Sequence, residues 1–184
     1  DHFHSRPKVQ KKTIAMNNFT YRNTIKLVES IAKKKQLDVL DYGCGVGTID
    51  FYLASQGHSV MGLDISKTVI DTCRLSAQEM KLGERAKFGS INTNLNKYDL
   101  ILCSEVIEHV SNDAKLISML SRHLKQKGIL LISTPSINAP LHKLGLTNNF
   151  DRRVGHLRRY DQKELITMIK KNGLKVIKVK RVEG

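Results

Sequence analysis

Residues 39–47 run V-L-D-Y-G-C-G-V-G, and 17 positions after Gly47 a second apolar run ends at Asp64. The stretch Leu37 to Tyr42 reads as a buried strand, and Gly43, Gly45 and Gly47 follow it at once, with a helix start at Thr48. Glycines at alternate positions let the chain turn sharply and let a ligand approach main-chain N–H groups that a Cβ would shield. In an open α/β sheet, the crevice at the carboxyl end of such a strand is where nucleotides bind.

The rest of the chain fits that sheet. A helix is predicted from Tyr21 to Lys33 on the spacing of Ile25, Leu27, Val28 and Ile31, after a polar, basic and mobile stretch 1–14. After the first strand come a helix 48–56 stopped by Gly57, a strand 59–64, and a helix 66–81 stopped near Gly83. Short strands 86–91 and 98–103 follow, then a helix from about 112 to 126 with Ser111 as its cap and Gly128 beyond its end. A strand 129–134 ends at Pro135. Residues 136–160 form a long connection without periodicity, of the kind that is usually functional in compact domains. It closes where Asp161, with Glu164 three residues on, forms a capping box for a helix that Gly173 stops; a final strand is expected from Leu174 to Val182. This alternation predicts one domain with a doubly wound, mostly parallel α/β sheet, Rossmann-like, with helices on both faces. Its parts are a basic helical flank (1–36), a cofactor-binding core (37–135) and a substrate-side loop, helix and last strand (136–184).

Composition narrows the function. With 184 residues the chain can bury a core of ordinary size, and it contains neither an apolar stretch long enough to span a bilayer nor a signal-peptide pattern. Cys44, Cys73 and Cys103 are an odd number without a C-x-x-C pair, as expected of free thiols in a reducing cytoplasm. The chain opens on Asp1 rather than on methionine, as a trimmed chain would. Its net charge of +14 is uneven: residues 1–36 hold nine Lys/Arg against two Asp/Glu, residues 143–184 twelve against four, and residues 37–142 ten against eleven. The core is thus near neutral. The basic flanks are open to two readings, a solvated surface or attraction for an anionic acceptor such as nucleic acid, a phosphorylated sugar or an acidic membrane. Lys33, Lys34 and Lys35, remote from the crevice, favour the first; Arg152, Arg153, Arg158 and Arg159 favour the second.

The dinucleotide fingerprint G-x-G-x-x-G would need a third glycine at position 48, where the chain has Thr48. Asp41 would also repel a pyrophosphate seated at the helix N-terminus, whereas it suits a cationic amine. Asp64 supplies the carboxylate that accepts hydrogen bonds from ribose hydroxyls. A ligand with adenosine at one end and an amino acid at the other satisfies both, which points to S-adenosylmethionine.

Four segments in order, V-L-D-Y-G-C-G-V-G, V-M-G-L-D-I-S, Y-D-L-I-L-C-S-E-V-I-E-H-V and G-I-L-L-I-S-T-P, resemble the class I S-adenosylmethionine-dependent methyltransferases over about residues 37–180. The resemblance implies that main-chain groups around Gly43, Cys44 and Gly45, with Asp41, hold the methionine part, and that Asp64 with Ile65 holds ribose and adenine. Ser90 and Ile91, with Asn92, stand where the family often has an acidic adenine contact. Cys103 and Ser104, at the end of the fourth strand, complete the implied lining. Tyr21 and Arg22 lie where an N-terminal helix often reaches the cofactor carboxylate. The family's usual closing antiparallel strand has no counterpart, so either the chain is truncated or the sheet is one strand short.

Glu105, Glu108 and His109 follow the fourth strand at i, i+3, i+4 spacing, which puts them on one face if the segment is helical. Three readings stay open: a first-turn carboxylate with a satisfied histidine, a general base at His109 acting on an acceptor hydroxyl with Glu105 beside it, or a divalent-cation site with His156 as a further ligand, of a type that suits Mg, Mn, Fe or Zn. E-V-I-E-H followed by S-T-P and a later histidine resembles the ubiquinone-biosynthesis O-methyltransferases. It also resembles the small-RNA terminal 2′-O-methyltransferases, whose metal ligands are two glutamates and two histidines; Glu105, Glu108, His109 and His156 match them. The RNA enzymes carry D-H-x-F-E-W where this chain has G-H-L-R-R-Y-D, a segment that also resembles bacterial methyltransferases for which no metal is implied. The resemblance implies methyl transfer from S-adenosylmethionine to an oxygen of a small or lipid-like acceptor. RNA is the alternative acceptor, although an aromatic content of 5% without tryptophan offers no stacking platform. A non-catalytic cofactor-binding subunit is the alternative class.

Overall fold

The structure, a computed structural model, describes residues 19–32 and 35–181. The expected mobile stretch 1–14, and Lys33 and Lys34, lie outside the described residues. Helix α1 is Phe19–Ala32. Strand β1, Asp38–Tyr42, leads through the glycine turn into α2, Thr48–Ser55. Strand β2, Ser59–Asp64, precedes α3, Lys67–Glu79, whose first turn is capped by Ser66 Oγ accepting from the Val69 N–H. Then come β3, Ala86–Ser90, β4, Tyr98–Ser104, a single 3-10 turn Ile107–His109, α4, Asp113–Arg122, and β5, Leu124–Ser133. The long connection carries two short helices, α5, Pro140–Lys143, and α6, Asn148–Val154, before α7, Gln162–Lys171.

The five strands pair in parallel in the order β3-β2-β1-β4-β5. The chain therefore winds one way from β1 to β3 and the other from β4 to β5, and the order reverses between the carboxyl ends of β1 and β4, where a crevice must open. Both faces of β1 are covered. Val39 packs with Leu100, Leu102, Ile25 of α1, Leu53 of α2 and Ile70 of α3. Leu40 packs on the opposite face with Leu63, Ile101, and Leu116 and Leu120 of α4, with Leu165 and Met168 of α7 alongside. A strand enclosed on both sides has no polar face to show, which is why 37–42 reads as a near-continuous apolar run.

Four expectations change. Helix α4 is capped by Asn112, whose Oδ1 accepts from the Lys115 N–H, and it ends at Arg122. Gly128 is not its stop but part of an irregularity in β5: pairing jumps from Tyr98 with Leu124 to Leu100 with Ile129, Lys127 takes φ 64°, and a Cβ on Gly128 would lie 2.9 Å from the carbonyl oxygens of Tyr98 and Lys125. The expected strand after Gly173 joins no partner among the described residues; Ile177 and Val179 are 71% and 49% exposed, so no buried face fixes a register. Helices α5 and α6 are too short for an apolar period to show. No described helix is long and apolar enough to cross a membrane.

Candidate active site

The glycines of the β1–α2 turn have left-handed backbones, with φ 86°, 52° and 73° at Gly43, Gly45 and Gly47. They do different work. A Cβ on Gly43 would collide with Val106, and one on Gly47 would sit 2.9 Å from the Phe51 ring, whereas one on Gly45 would meet nothing within 4 Å. Only Gly45 opens its backbone to free space. The turn is held to β2: the N–H groups of Gly43 and Cys44 both donate to the Leu63 carbonyl, at 2.8 and 2.9 Å. Asp64 Oδ2 accepts from the Gly45 N–H at 3.1 Å and Oδ1 from the Ser66 N–H at 2.9 Å. Each carboxylate oxygen keeps a further lone pair for a ligand hydroxyl. Beside it Ile65 is 81% exposed, an uncovered apolar surface next to the crevice. Ser90 lies opposite Asp64 at the end of β3 and is exposed, while Ile91 packs against the core face that holds Leu63.

Beneath the turn lies a feature that the sequence pattern did not flag. Asp41 of β1 and Asp50 of α2 are both buried, Asp50 completely. Gly62 of β2, the register partner of Asp41, makes room for them, since a Cβ there would sit 2.7 Å from Asp50 Oδ1. Neither oxygen of Asp50 has a hydrogen-bond partner of acceptable geometry among the described residues, yet the two carboxyls act strongly on each other. We take this as a like-charged contact that a shared proton would turn into a bond. Burial, with the charge of Asp64, pushes Asp41 up to about 7, and burial followed by the charge of Asp41 raises Asp50 well above the carboxylate range. Tyr21 of α1 reaches the same floor, near Thr48 and Asp41. The lone carboxylate in the apolar helix T-I-D-F-Y-L-A was the signal available.

The two cysteines expected at the crevice differ. Cys44 is half-buried and shares the Gly45 carbonyl with Cys73, at 3.6 and 3.5 Å. Cys103 is enclosed in the core face of Leu40, and burial, then the charge of Asp41, pushes its thiol up to about 12; it presents no side chain to the crevice, because the period of β4 turns it inward. Its neighbour Ser104 faces outward, with Oγ 2.7 Å from Ser133 Oγ.

At the end of β4 the expected common face of Glu105, Glu108 and His109 does not form, because Glu105 has φ 55° and precedes the 3-10 turn. Its carboxylate turns instead to Ser133, whose Oγ donates to Oε1 at 2.8 Å. Glu108, His109 and His156 do converge, with one ligand atom from each within 4.8 Å of the others. Glu108 is fully buried; Oε2 accepts from Thr134 Oγ1 at 3.0 Å and Oε1 has no partner among the described residues. Burial first, then the charge of Glu105, raises its pKa. His156 Nε2 lies 4.0 Å from that orphaned Oε1, and the rings of His109 and His156 are 4.9 Å apart. A buried acceptor without a donor, facing two imidazoles, fits a cation bound by oxygen and nitrogen at about 2.0–2.2 Å.

The connection folds back to make this possible. The Leu157 N–H donates to the Glu108 carbonyl at 2.8 Å, and His109 Nδ1 lies 3.1 Å from the Gly155 carbonyl. A carbonyl only accepts, so Nδ1 carries the proton and Nε2 is left with its lone pair. The arginines expected to draw an anionic acceptor divide into two pairs. Arg158 binds Asp113 at 2.7 Å and Arg159 clasps Asp151 through two nitrogens at 2.8 and 2.7 Å, so both hold the loop in place; Arg152 and Arg153 remain exposed. The buried Tyr160 adds its hydroxyl to Asp113 at 2.7 Å. The sequence reading missed Asp113, Ser133 and Thr134, whose partners lie 26 to 47 residues away, and Asp151, whose partners lie within eight residues but meet it only once the loop has folded.

The profile of a family described as "Methyltransferase domain" matches residues 16–179. The ubiquinone biosynthesis O-methyltransferase of Rickettsia typhi (strain ATCC VR-144 / Wilmington) is 40% identical over 105 residues, 54% of this chain and 41% of the relative. That of Rickettsia prowazekii (strain Madrid E) is 36% identical over 113 residues, 60% and 45% of the two chains. The chain thus spans less than half the length of these curated relatives. In fold it is similar to magnesium protoporphyrin IX methyltransferase from Synechocystis PCC 6803, solved with bound SAH, at TM-score 0.70 and 22% identity over 94% of this chain and 81% of that one. The YcgJ protein of Bacillus subtilis gives TM-score 0.68 and 22% identity, over 82% and 68%. With the glycine turn, the paired Asp64 and the reversed strand order at one crevice, and a profile match over most of its length, the chain belongs to the methyltransferase domain family, in its class I, Rossmann-like form.

Proposed function

We propose that this domain transfers a methyl group from S-adenosylmethionine to an oxygen of a small, lipid-like acceptor, in the manner that the names of its rickettsial relatives suggest. One observation carries the reading: of the three glycines in the β1–α2 turn only Gly45 is open to space, its N–H is tied to Asp64, and Glu108, His109 and His156 come together just past the end of β4, the strand paired with β1. In this reading Asp64 accepts from the ribose hydroxyls, the exposed Ile65 covers the adenine, Ser90 and Ile91 border it, and Ser104 with the main chain of Gly43, Cys44 and Gly45 holds the amino-acid end. Asp41 supplies negative charge beneath the ammonium. The acceptor oxygen forms a bond to the methyl carbon as the carbon–sulfur bond breaks; the sulfonium leaves as the neutral thioether, and the hydroxyl proton goes to a base. Alignment is most of the work.

Two arrangements could ready the hydroxyl. The lone pair on His109 Nε2 could take the proton. The orphaned Glu108 Oε1 favours the second, in which Glu108, His109 and His156 hold a divalent cation; such an ion, when bound, acidifies a coordinated hydroxyl. Glu105, turned to Ser133, then stands beside the site rather than in it. Phe150, its ring 6.0 Å from that of His156, and Leu157 are more than half exposed and would give an apolar acceptor a wall to rest on. A cytoplasmic location belongs to the same proposal, on the strength of three free cysteines.

The test is to incubate the protein with labelled S-adenosylmethionine and separate pools of lipid-like hydroxyl compounds, small soluble hydroxyl compounds and RNA. A methylated hydroxyl compound and released S-adenosylhomocysteine are expected. Methyl transfer to RNA alone would overturn the acceptor class, and cofactor binding without turnover on any pool would leave a binding subunit.

A further inference from the structure

Asp151, which no sequence motif singles out, sits in the first turn of α6 with every acceptor position of its carboxylate in use. Oδ1 lies 2.8 Å from His156 Nδ1 and accepts from Arg159 Nη2 at 2.7 Å. Oδ2 accepts from Arg159 Nε at 2.8 Å and from Thr147 Oγ1 at 3.3 Å, with His142 Nδ1 3.9 Å away. A carboxylate so occupied has nothing left for a substrate or an ion, so any effect on the crevice passes through His156. We propose that Asp151 is a positioning residue: by accepting from His156 Nδ1 it fixes the tautomer and ring orientation that aim Nε2 at Glu108 Oε1. The inference rests on the cation reading given above.

Three observations support it. The His156 side chain is 8% exposed, so water cannot easily substitute for Asp151 as the partner of Nδ1. Arg159 clasps the Asp151 carboxylate through Nε and Nη2 at 2.8 and 2.7 Å, which fixes the acceptor in the plane that His156 Nδ1 meets. The guanidinium also cancels its charge, so the aspartate orients the imidazole while the net charge of the cation pocket is left to Glu108. Carboxylate–imidazole–metal arrangements are a common way to fix which ring nitrogen is free, and removing the outer partner typically costs about 10–100-fold in metal affinity. His109 differs, having the Gly155 carbonyl on its Nδ1. Without Asp151, the ring of His156 could turn over and place a proton between itself and Glu108.

The experiment reads two quantities that do not need turnover: the His156 tautomer, from ring nitrogen shifts of the ¹⁵N-histidine-labelled full chain at alkaline pH, and the affinity for Zn²⁺ by competition with a chromophoric chelator. In the native protein His156 must carry its proton on Nδ1; a proton on Nε2 overturns the proposal whatever the variants do. Asp151→Asn should mix the tautomers and weaken Zn²⁺ by about 10–100-fold. Arg159→Gln, which loosens the loop but leaves the Asp151–His156 contact, should keep the tautomer and weaken Zn²⁺ by no more than about threefold. Equal losses in the two variants would mean that loop anchoring, not the aspartate, positions the ring. If the native protein shows the Nδ1 tautomer and binds no Zn²⁺ or Mn²⁺, the cation reading fails while the orientation of His156 by Asp151 stands.

Discussion

Asp50→Asn should make the protein more stable at neutral pH, against the usual expectation for a substitution in a core. In the unfolded chain Asp41 and Asp50 both titrate near 3.8; folded, burial and the neighbouring carboxylates hold Asp41 at about 7 and Asp50 well above the carboxylate range. Asp50 thus keeps its proton in the folded state where the unfolded chain has lost it. Stability that both raised groups contribute below 3.8 is therefore lost as pH rises through the window between the unfolded and folded values. Each pH unit in which the folded state holds one proton more than the unfolded chain costs about 1.4 kcal/mol, so the native protein loses ground to the variant as pH rises above the unfolded value. Asparagine does not titrate and is free of that loss, and its amide can donate to Asp41. Urea unfolding of both proteins at about pH 5 and pH 7 measures the effect. The native protein should lose stability relative to the variant across the interval, at a slope of up to about 1.4 kcal/mol per pH unit, and the variant should be the more stable at pH 7. Parallel pH profiles would mean that folded Asp50 holds no proton and that its orphaned oxygens have another partner.

Other expectations concern the crevice. Asp64→Ala removes both the anchor of the Gly45 N–H and the charged acceptor for ribose, a loss of about 1.5–3 kcal/mol, so calorimetry should show S-adenosylhomocysteine binding at least about tenfold weaker. Gly45→Ala should leave the melting temperature within a few degrees of native yet abolish that binding, whereas Gly43→Ala, which drives a methyl into Val106, should cost about 1–3 kcal/mol of stability; equal behaviour of the two would refute the division of labour among the glycines. If a cation readies the acceptor, a chelator and Glu108→Gln should each stop turnover and spare cofactor binding; if His109 is the base, His109→Ala alone is crippling and the chelator harmless.

The sheet could be read from the chain because its signals are local. Strand β1, its glycine turn and Asp64 all lie within residues 37–64, and the apolar run that begins at Leu37 stops sharply at Gly43. Asp64 does bind the turn, through a backbone group that only the folded register brings near. What failed depended on pairings or backbone angles that no period encodes. The helical spacing of Glu105, Glu108 and His109 is real in number, but a left-handed residue at Glu105 breaks the face and sends that side chain to Ser133. Arg158 and Arg159 look like a basic patch in one dimension and are internal clasps in three, since Asp113 and Asp151 lie 45 and 8 residues away. His156 was legible only by resemblance; no composition could show that its loop returns to Glu108.

The return path has one more consequence. Ser136 and Tyr160 form an isolated parallel bridge, in which the Ile137 N–H donates to the Tyr160 carbonyl and the Tyr160 N–H to the Pro135 carbonyl, both at 3.1 Å. The two ends of the excursion are thus stitched together where they leave and rejoin the domain, and Gly155, Leu157 and Arg158 tie its second half to His109, Glu108 and Asp113. Lengthening a closed loop adds little closure entropy, about 0.6 kcal/mol for each doubling. The tip, where Leu141, Leu144 and Leu146 are exposed, can therefore be exchanged for another of different length or polarity without disturbing strand or turn. Length and polarity can thus vary at the tip while the register of β1 and the glycine turn beneath it stay unaltered.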